Sequence, residues 1–223
     1  MSTTDPSPRR RRKEARPQEL LDAALELFVE KGFAATRAEE VAVRAGVSKG
    51  TLYLYFQSKE DLLRAVITHN LSERIAEGAA QVAAFSGSAS ELLRVVLCEW
   101  WEHIYNSPAG AVFKLVITEV RNFPEISEFY IHEVVEPAHH LLGGIVQRGI
   151  AQGEFRPVDV DVAVHSLVLP LIMICVHKHS IGACGMGEQH SLDGNAFIRQ
   201  HVQLVLDGLC QPATRQPTDD TPP

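Results

Sequence analysis

Between Ser48 and Ser58 lies the stretch that most limits what this chain can fold into. Both serines stand where a helix N-cap stands, each followed by a run with helical spacing. The nine residues between them include "TLYLYF" (Thr51–Phe56), whose aromatic and β-branched alternation reads by propensity as a strand. No second strand pattern lies near it, and a lone strand leaves its backbone groups unpaired. A helix of two turns needs no distant partner. On such a helix Leu52 and Phe56, at i and i+4, face inward. Lys49, Thr51, Tyr53 and Tyr55 are left on the outer face or near its start. Aromatics with polar tips on a short exposed helix suit a wet, charged partner.

The flanking residues extend the pattern. Pro17 suits a first helical position, Leu20, Ala24, Leu27 and Phe28 follow at helical spacing, and Gly32 ends that helix. Thr36-x-x-Glu39 reads as a capping box for a second helix with Val41, Ala42 and Ala45 on its apolar face. Gly46 closes it, and "GVS" leads into the short helix capped by Ser48. A helix, a short Gly-containing turn and a second short helix have the spacing of a helix-turn-helix. Ser58-x-x-Asp61 opens a fourth helix, with Leu62, Val66, Leu71, Ile75 and Val82 along one stripe.

Charge divides the chain in the same place. The net charge of −7 is the sum of +2 over residues 1–64 and −9 over residues 65–223. Only the N-terminal part is therefore suited to a polyanion. "RRRRKEAR" at 9–16 is read either as a solvated, disordered tail or as an arm reaching phosphates or a minor groove. No apolar stretch follows it closely, so no secretory signal is expected. Cys98, Cys175, Cys184 and Cys210 form no CxxC and read as reduced thiols of a cytoplasmic protein. "VAVHSLVLPLIMICV" (Val162–Val176) is shorter than the ~20 residues a membrane span needs and is expected as a buried core helix.

Beyond residue 64 the pattern stays helical. Ser88-x-x-Glu91 caps a helix to about Asn106, Ser107-Pro108 starts the next, and "FPEI" opens a long one to Gln152. Asp159–Ile181 and Asn195–Leu209 follow, separated by "GACGMGEQHSLDGN". The fold class is all-α with about nine helices and a disordered tail at 211–223. Ile198, Val202, Val205 and Leu209 make a 4-3-4 seam, read as a dimer interface or as core within one chain.

Other chemistry finds little support. In "CVHKHSIGAC" Cys175 and His179 share a helical face but His177 points away, and "HEVVE" lacks the second His of a zinc-protease motif. No metal and no cofactor is expected. Neither GxxxxGK[ST] nor GxSxG occurs, so the chain does not read as an enzyme.

"LFVEKGFAATRAEEVAVRAGVSKGTLYLYFQSKEDLL" resembles the N-terminal domain of TetR-type transcriptional regulators, through G-F-x-x-T (Gly32–Thr36), A-x-x-A-G-V-S-K-G-T-L-Y-x-Y-F (Ala42–Phe56) and K-E-D-L (Lys59–Leu62). The resemblance implies a homodimer with a helix-turn-helix DNA-binding domain at 17–64 and a larger ligand-sensing and dimerising domain at 65–210. It implies a repressor released from a palindromic double-stranded DNA operator by a small-molecule effector, with no membrane association. A metal-responsive regulator of the same fold, or a helical ligand-binding protein without DNA function, is the alternative. Ser48, Lys49, Gly50, Thr51, Tyr53 and Tyr55 match positions that touch bases or phosphates. Lys59 matches a phosphate contact, and Thr36 and Arg37 sit where the second helix meets the backbone. Trp100, Phe113, Phe129, Tyr130, Met173 and His177 are candidates for lining the effector pocket. On this reading Lys59→Ala weakens binding to every DNA sequence alike and lowers the salt slope by about one unit.

Overall fold

Helix-capping signals every ten to thirty residues leave the chain few alternatives to stacked helices, and stacked helices are what form. A computed structural model of the protein describes residues 8–184 and 192–210. Among them are nine helices: α1 (Pro8–Lys31), α2 (Ala38–Arg44), α3 (Lys49–Tyr53), α4, α5, α6 (Gly110–Glu119), α7, α8 (Val160–Lys178) and α9 (Gly194–Leu209). Three of them are continuous through a π-helical turn. Helix α4 runs Lys59–Ile67, Thr68–Ser72, Glu73–Ala84; α5 runs Ala89–Leu92, Leu93–Leu97, Cys98–Asn106; α7 runs Pro124–Tyr130, Ile131–Val135, Glu136–Ala151. One antiparallel bridge, Phe155 to Cys210, is the extended pairing among the described residues. The tail at 211–223 and residues 1–7, the first part of the basic arm expected to be disordered over 1–16, lie outside them.

Helix α1 packs on α2, α4 and α6, and α2 on α3. In the second half α8 is central, against α6, α7 and α9, while α9 also packs on α5. One hydrophobic core runs without a break from Leu20 in α1 to Leu209 in α9. The Leu62–Ile75 stripe of α4 is buried along its length and joins the two halves. The domain boundary expected after residue 64 falls inside this helix.

Local expectations shift where a side chain finds better use. Helix α1 begins at Pro8 and carries Pro17 inside it, so the segment expected as a disordered arm is helical from Pro8. The Arg- and Lys-rich run ahead of Pro17 has good helix propensity, which extends the helix despite the proline. Thr36 is not a cap. Its hydroxyl donates to the Gly32 carbonyl at 2.7 Å and the Leu27 carbonyl at 3.2 Å, supplying acceptors left open at the end of α1. The α2 cap is one residue later, where the Glu40 carboxylate accepts from the Arg37 backbone N–H at 2.8 Å. Ser107 likewise closes α5 rather than opening α6: its N–H donates to His103 and its hydroxyl to Ile104.

Two further expectations concern the C-terminal helices. Ile198, Val202 and Leu209 are buried within their own chain, and Val205 is half-buried. The 4-3-4 seam is intrachain core, because the regular spacing marks the face turned toward α5 and α8. Helix α8 is not a fully buried core helix. It is long and apolar enough, by length and composition, to cross a membrane, yet only 33% of it is buried in the chain. Val162, Leu169 and Met173 stay exposed along it.

Gly32 holds a left-handed φ of +88°, and its N–H donates to Phe28 to close α1. An L side chain there costs about 1–2 kcal/mol. Gly32→Ala should lower the unfolding free energy by about that amount in denaturant titration.

Candidate DNA-binding surface and ligand cavity

The recognition unit is built from two capped turns. After α2, the Gly46 N–H (φ +66°) donates to the Val43 carbonyl at 3.0 Å and the Val47 N–H to the Ala42 carbonyl at 2.9 Å. That paired closure fixes the angle at which the next helix leaves. Ser48 then caps α3: its Oγ accepts from the Thr51 N–H at 3.1 Å and shares a 2.9 Å hydrogen bond with the Thr51 hydroxyl. Leu52 and Phe56 are buried, and Val41 and Ala42 of α2 join them. Ser48, Lys49, Gly50 and Tyr53 are exposed together, with Thr51 half-buried beside them. Tyr55 is half-buried and packs on the core, because α3 ends at Tyr53 and the chain turns before it.

Charges sort the basic residues of this unit. The Arg44 guanidinium is forked between Glu26 and Glu30, with three contacts of 3.0 Å, and it holds the Glu30 carboxyl below its usual range. Lys49 pairs with Glu39 and stands 5.8 Å from the Tyr53 ring centroid; the Glu39 carboxylate pushes its pKa up. Arg37, at the start of α2, is exposed, and its backbone N–H donates to the Glu40 carboxylate.

Lys59 differs from the sequence expectation. Its Nζ donates to the carbonyls of Phe33 at 2.8 Å, Ala34 at 3.1 Å and Thr36 at 3.1 Å, and lies 4.4 Å from the Phe33 ring centroid. An ammonium has three donors, and all three are engaged. The geometry makes Lys59 a clamp between α4 and the α1–α2 turn instead of a phosphate contact. Thr36 is withdrawn from the surface as well, at 2% exposure.

The second half encloses a cavity of about 370 Å³ between α4, α5, α6, α7 and α8. That lies at the lower end of the range for ligand pockets. Trp100, Phe113 and Tyr130 line it, as the sequence led one to expect. Phe129, Met173 and His177 do not: Phe129 lies beneath Arg64, Met173 faces outward and His177 lies beyond the cavity on α8. Trp101, which no sequence motif marked, also lines it, its ring edge-on to that of Trp100 with centroids 5.2 Å apart. All three π turns contribute lining residues, Leu71, Leu97 and Val134. A π turn adds a residue to the helical ring and re-aims the side chains after it.

The wall is almost wholly apolar. No Lys, Arg, Asp or Glu is among the described lining residues. Trp101 stacks on Phe113 with centroids 5.6 Å apart, and its buried Nε1 has no partner among the described residues. Burial pushes the Tyr130 phenol up to about 12. His139 and His165 stand at one side with centroids 5.6 Å apart, and Asp161 holds both, through its carboxylate to His139 at 3.2 Å and its carbonyl to His165 at 2.7 Å. Such a wall favours an apolar group and leaves a charged one outside.

Comparison with known proteins places both halves. Residues 20–66 match the family model described as bacterial regulatory proteins, tetR family, and residues 84–181 match the tetracyclin repressor-like C-terminal domain. The HTH-type transcriptional repressor KstR2 of Rhodococcus jostii is 28% identical over 202 residues, 90% of this chain and 94% of that protein. The fatty acid metabolism regulator protein of Bacillus subtilis is 30% identical over 159 residues, 68% of this chain and 78% of that protein. The crystal structure of the Bacillus subtilis regulator FadR in complex with stearoyl-CoA shares the fold, with a TM-score of 0.67, 24% identity, and coverage of 86% of this chain and 98% of that one.

The two lysines should separate in experiment. Lys49→Ala should lower the salt slope of duplex binding by about one unit. Lys59→Met should leave that slope unchanged and instead destabilise the fold, by about 1–3 kcal/mol for carbonyls left unpaired. Binding isotherms from 50 to 200 mM salt and denaturant titration read the two effects.

Proposed function

The chain belongs to the TetR family of bacterial regulatory proteins, and from that premise we propose how this ligand-responsive DNA-binding repressor works. The recognition helix α3 enters the major groove with Lys49, Gly50, Thr51 and Tyr53 toward bases and phosphates. Ser48 supports it as the cap, and Arg37 at the start of α2 meets the backbone. The exposure of Arg37, Ser48, Lys49, Gly50 and Tyr53, with Thr51 half-buried among them, supports the reading. Two copies bind one inverted repeat, with recognition helices about 34–36 Å apart or a multiple of that. The protein acts in the cytoplasm, where its operator is.

The dimer surface is the outer face of α8 and α9, not the inner seam. A helix that is apolar all round is covered on every side or lies in a membrane. Helix α8 is covered on one side by α6, α7 and α9. Val162 (63% exposed) and Met173 (58%) remain on the other, and Leu204 of α9 is exposed as well (71%). A second copy of the same two helices completes a four-helix bundle there.

The effector is a long acyl chain, carried as its coenzyme A thioester. The observation that carries this is the apolar cavity with no charged side chain in its described wall. The chain fills the cavity, and the charged carrier stays outside it near His139 and His165. The fatty-acid and stearoyl-CoA names of the Bacillus relatives agree with it.

Two experiments test these readings. Light scattering at micromolar concentration should give twice the chain mass, and Met173→Arg with Leu204→Arg should give the single chain mass and abolish tight operator binding. A wild-type monomer that still held a palindrome tightly would exclude the interface. Stearoyl-CoA should release the protein from a duplex selected out of random sequence, while free coenzyme A should not. Equal release by both would place recognition on the carrier rather than the chain.

A further inference from the structure

One buried carboxylate ties the two halves of the molecule together and is used by nothing described so far. Glu119 ends α6 and is 7% exposed, one of two buried polar or charged residues among those described. Its Oε1 accepts from the backbone N–H of Phe33 at 3.1 Å, across 86 residues of sequence. The same oxygen lies 3.5 Å from where a side chain on Gly32 would begin. The left-handed Gly32 thus presents the Phe33 N–H and lets the carboxylate approach. Phe33 is held on its other sides too. Its carbonyl takes Lys59, and its ring meets Phe28 and Phe123 edge-on at 5.2 and 4.8 Å.

The position of Glu119 matters because of what else α6 carries. Phe113 and Ile117, on the same ten-residue helix, line the cavity. Ile117 lies two residues before Glu119. The partner turn, Gly32–Thr36, is bonded through Lys59 to the first turn of α4 and leads directly into α2. A rigid helix therefore lines the cavity with its middle and last turn and makes a charge-assisted hydrogen bond to the recognition unit at its C-terminal end.

We propose that Glu119 is an interdomain latch through which α6 reports the occupancy of the cavity to the α1–α2 turn. It is a positioning residue: it touches neither DNA nor effector. An acyl chain that pushes Phe113 and Ile117 outward shifts α6 and loosens the hold of the carboxylate on the Phe33 N–H, and the tilt of α2 and α3 follows. This rests on the reading of the cavity as the effector site, and it adds a second connection beside helix α4, whose buried stripe also joins the two halves.

The test uses the full-length protein and three variants of one position. Operator affinity, on a duplex selected from random sequence, is measured with and without stearoyl-CoA for wild type, Glu119→Gln and Glu119→Leu. Amide exchange at Phe33 is followed in each. Coupling in such systems is about 5–150-fold. Wild type should show a change in that range, Glu119→Gln should keep most of it because an acceptor oxygen remains, and Glu119→Leu should lose it while binding stearoyl-CoA as before. The Phe33 amide should exchange about tenfold faster in Glu119→Leu, as for the loss of a hydrogen bond to a charged group. In wild type, stearoyl-CoA should itself change that exchange rate, a readout that needs no variant. Undiminished coupling in folded Glu119→Leu overturns the latch, as does operator release by stearoyl-CoA with Phe33 exchange unchanged. If wild type ignores stearoyl-CoA, the effector reading fails alone. The latch then stands only if Glu119→Leu exchanges faster at Phe33 and binds the duplex more weakly, and equal values overturn it.

Discussion

Lys59 is where the geometry of the recognition unit is decided. A cation in the first turn of a helix faces the positive end of the helix dipole, which is unfavourable. Here it is offset by three carbonyls of Phe33, Ala34 and Thr36, which lie past the end of α1, and by the face of the Phe33 ring. Those carbonyls would otherwise need water. The clamp fixes the start of α4 against the end of α1, and the Gly46 closure and Ser48 cap then fix α2 and α3 in turn. Every element that would meet DNA hangs from that junction.

The same helix carries the connection to the cavity. Leu71, in the π turn of α4, and Ile75, beyond it, lie in the cavity wall, while the start of the helix holds Lys59. A ligand can shift DNA affinity only by the difference in its affinity for two arrangements of this strut. An apolar cavity is well suited to making that difference, because the contacts of an acyl chain depend on how closely the walls approach.

The sequence declared the helices and the recognition unit more fully than it declared roles. Caps and glycines act locally, so Ser48, Ser58, Ser88, Asp159, Gly32 and Gly46 were legible as helix punctuation and stand as such. The inward-facing Leu52 and Phe56 were legible for the same reason. Thr36 and Lys59 were not, because their partners are backbone carbonyls whose direction depends on how α1 ends. The Ile198–Leu209 seam showed that one face is buried, and spacing alone does not say against what. The cavity was half legible. Large aromatics mark it, but π turns at Thr68–Ser72, Leu93–Leu97 and Ile131–Val135 change which residues of each helix face inward. A helical count by 3.6 passes over them, whereas Met173 lies on α8, which has no such turn, and is exposed because it stands away from the cavity on that helix. Glu119 carries no sequence signal at all, since its partner is a backbone N–H 86 residues away.

The central claim is that the cavity and the DNA-binding surface are two sites of one equilibrium. Calorimetry of stearoyl-CoA with the protein alone and with the protein saturated by operator duplex measures this directly. Linkage requires the operator to weaken the ligand by the same factor by which the ligand weakens the operator. The account predicts that reciprocal weakening. Equal ligand affinity in the two titrations would contradict it, and would make the bound acyl chain a passenger in the core.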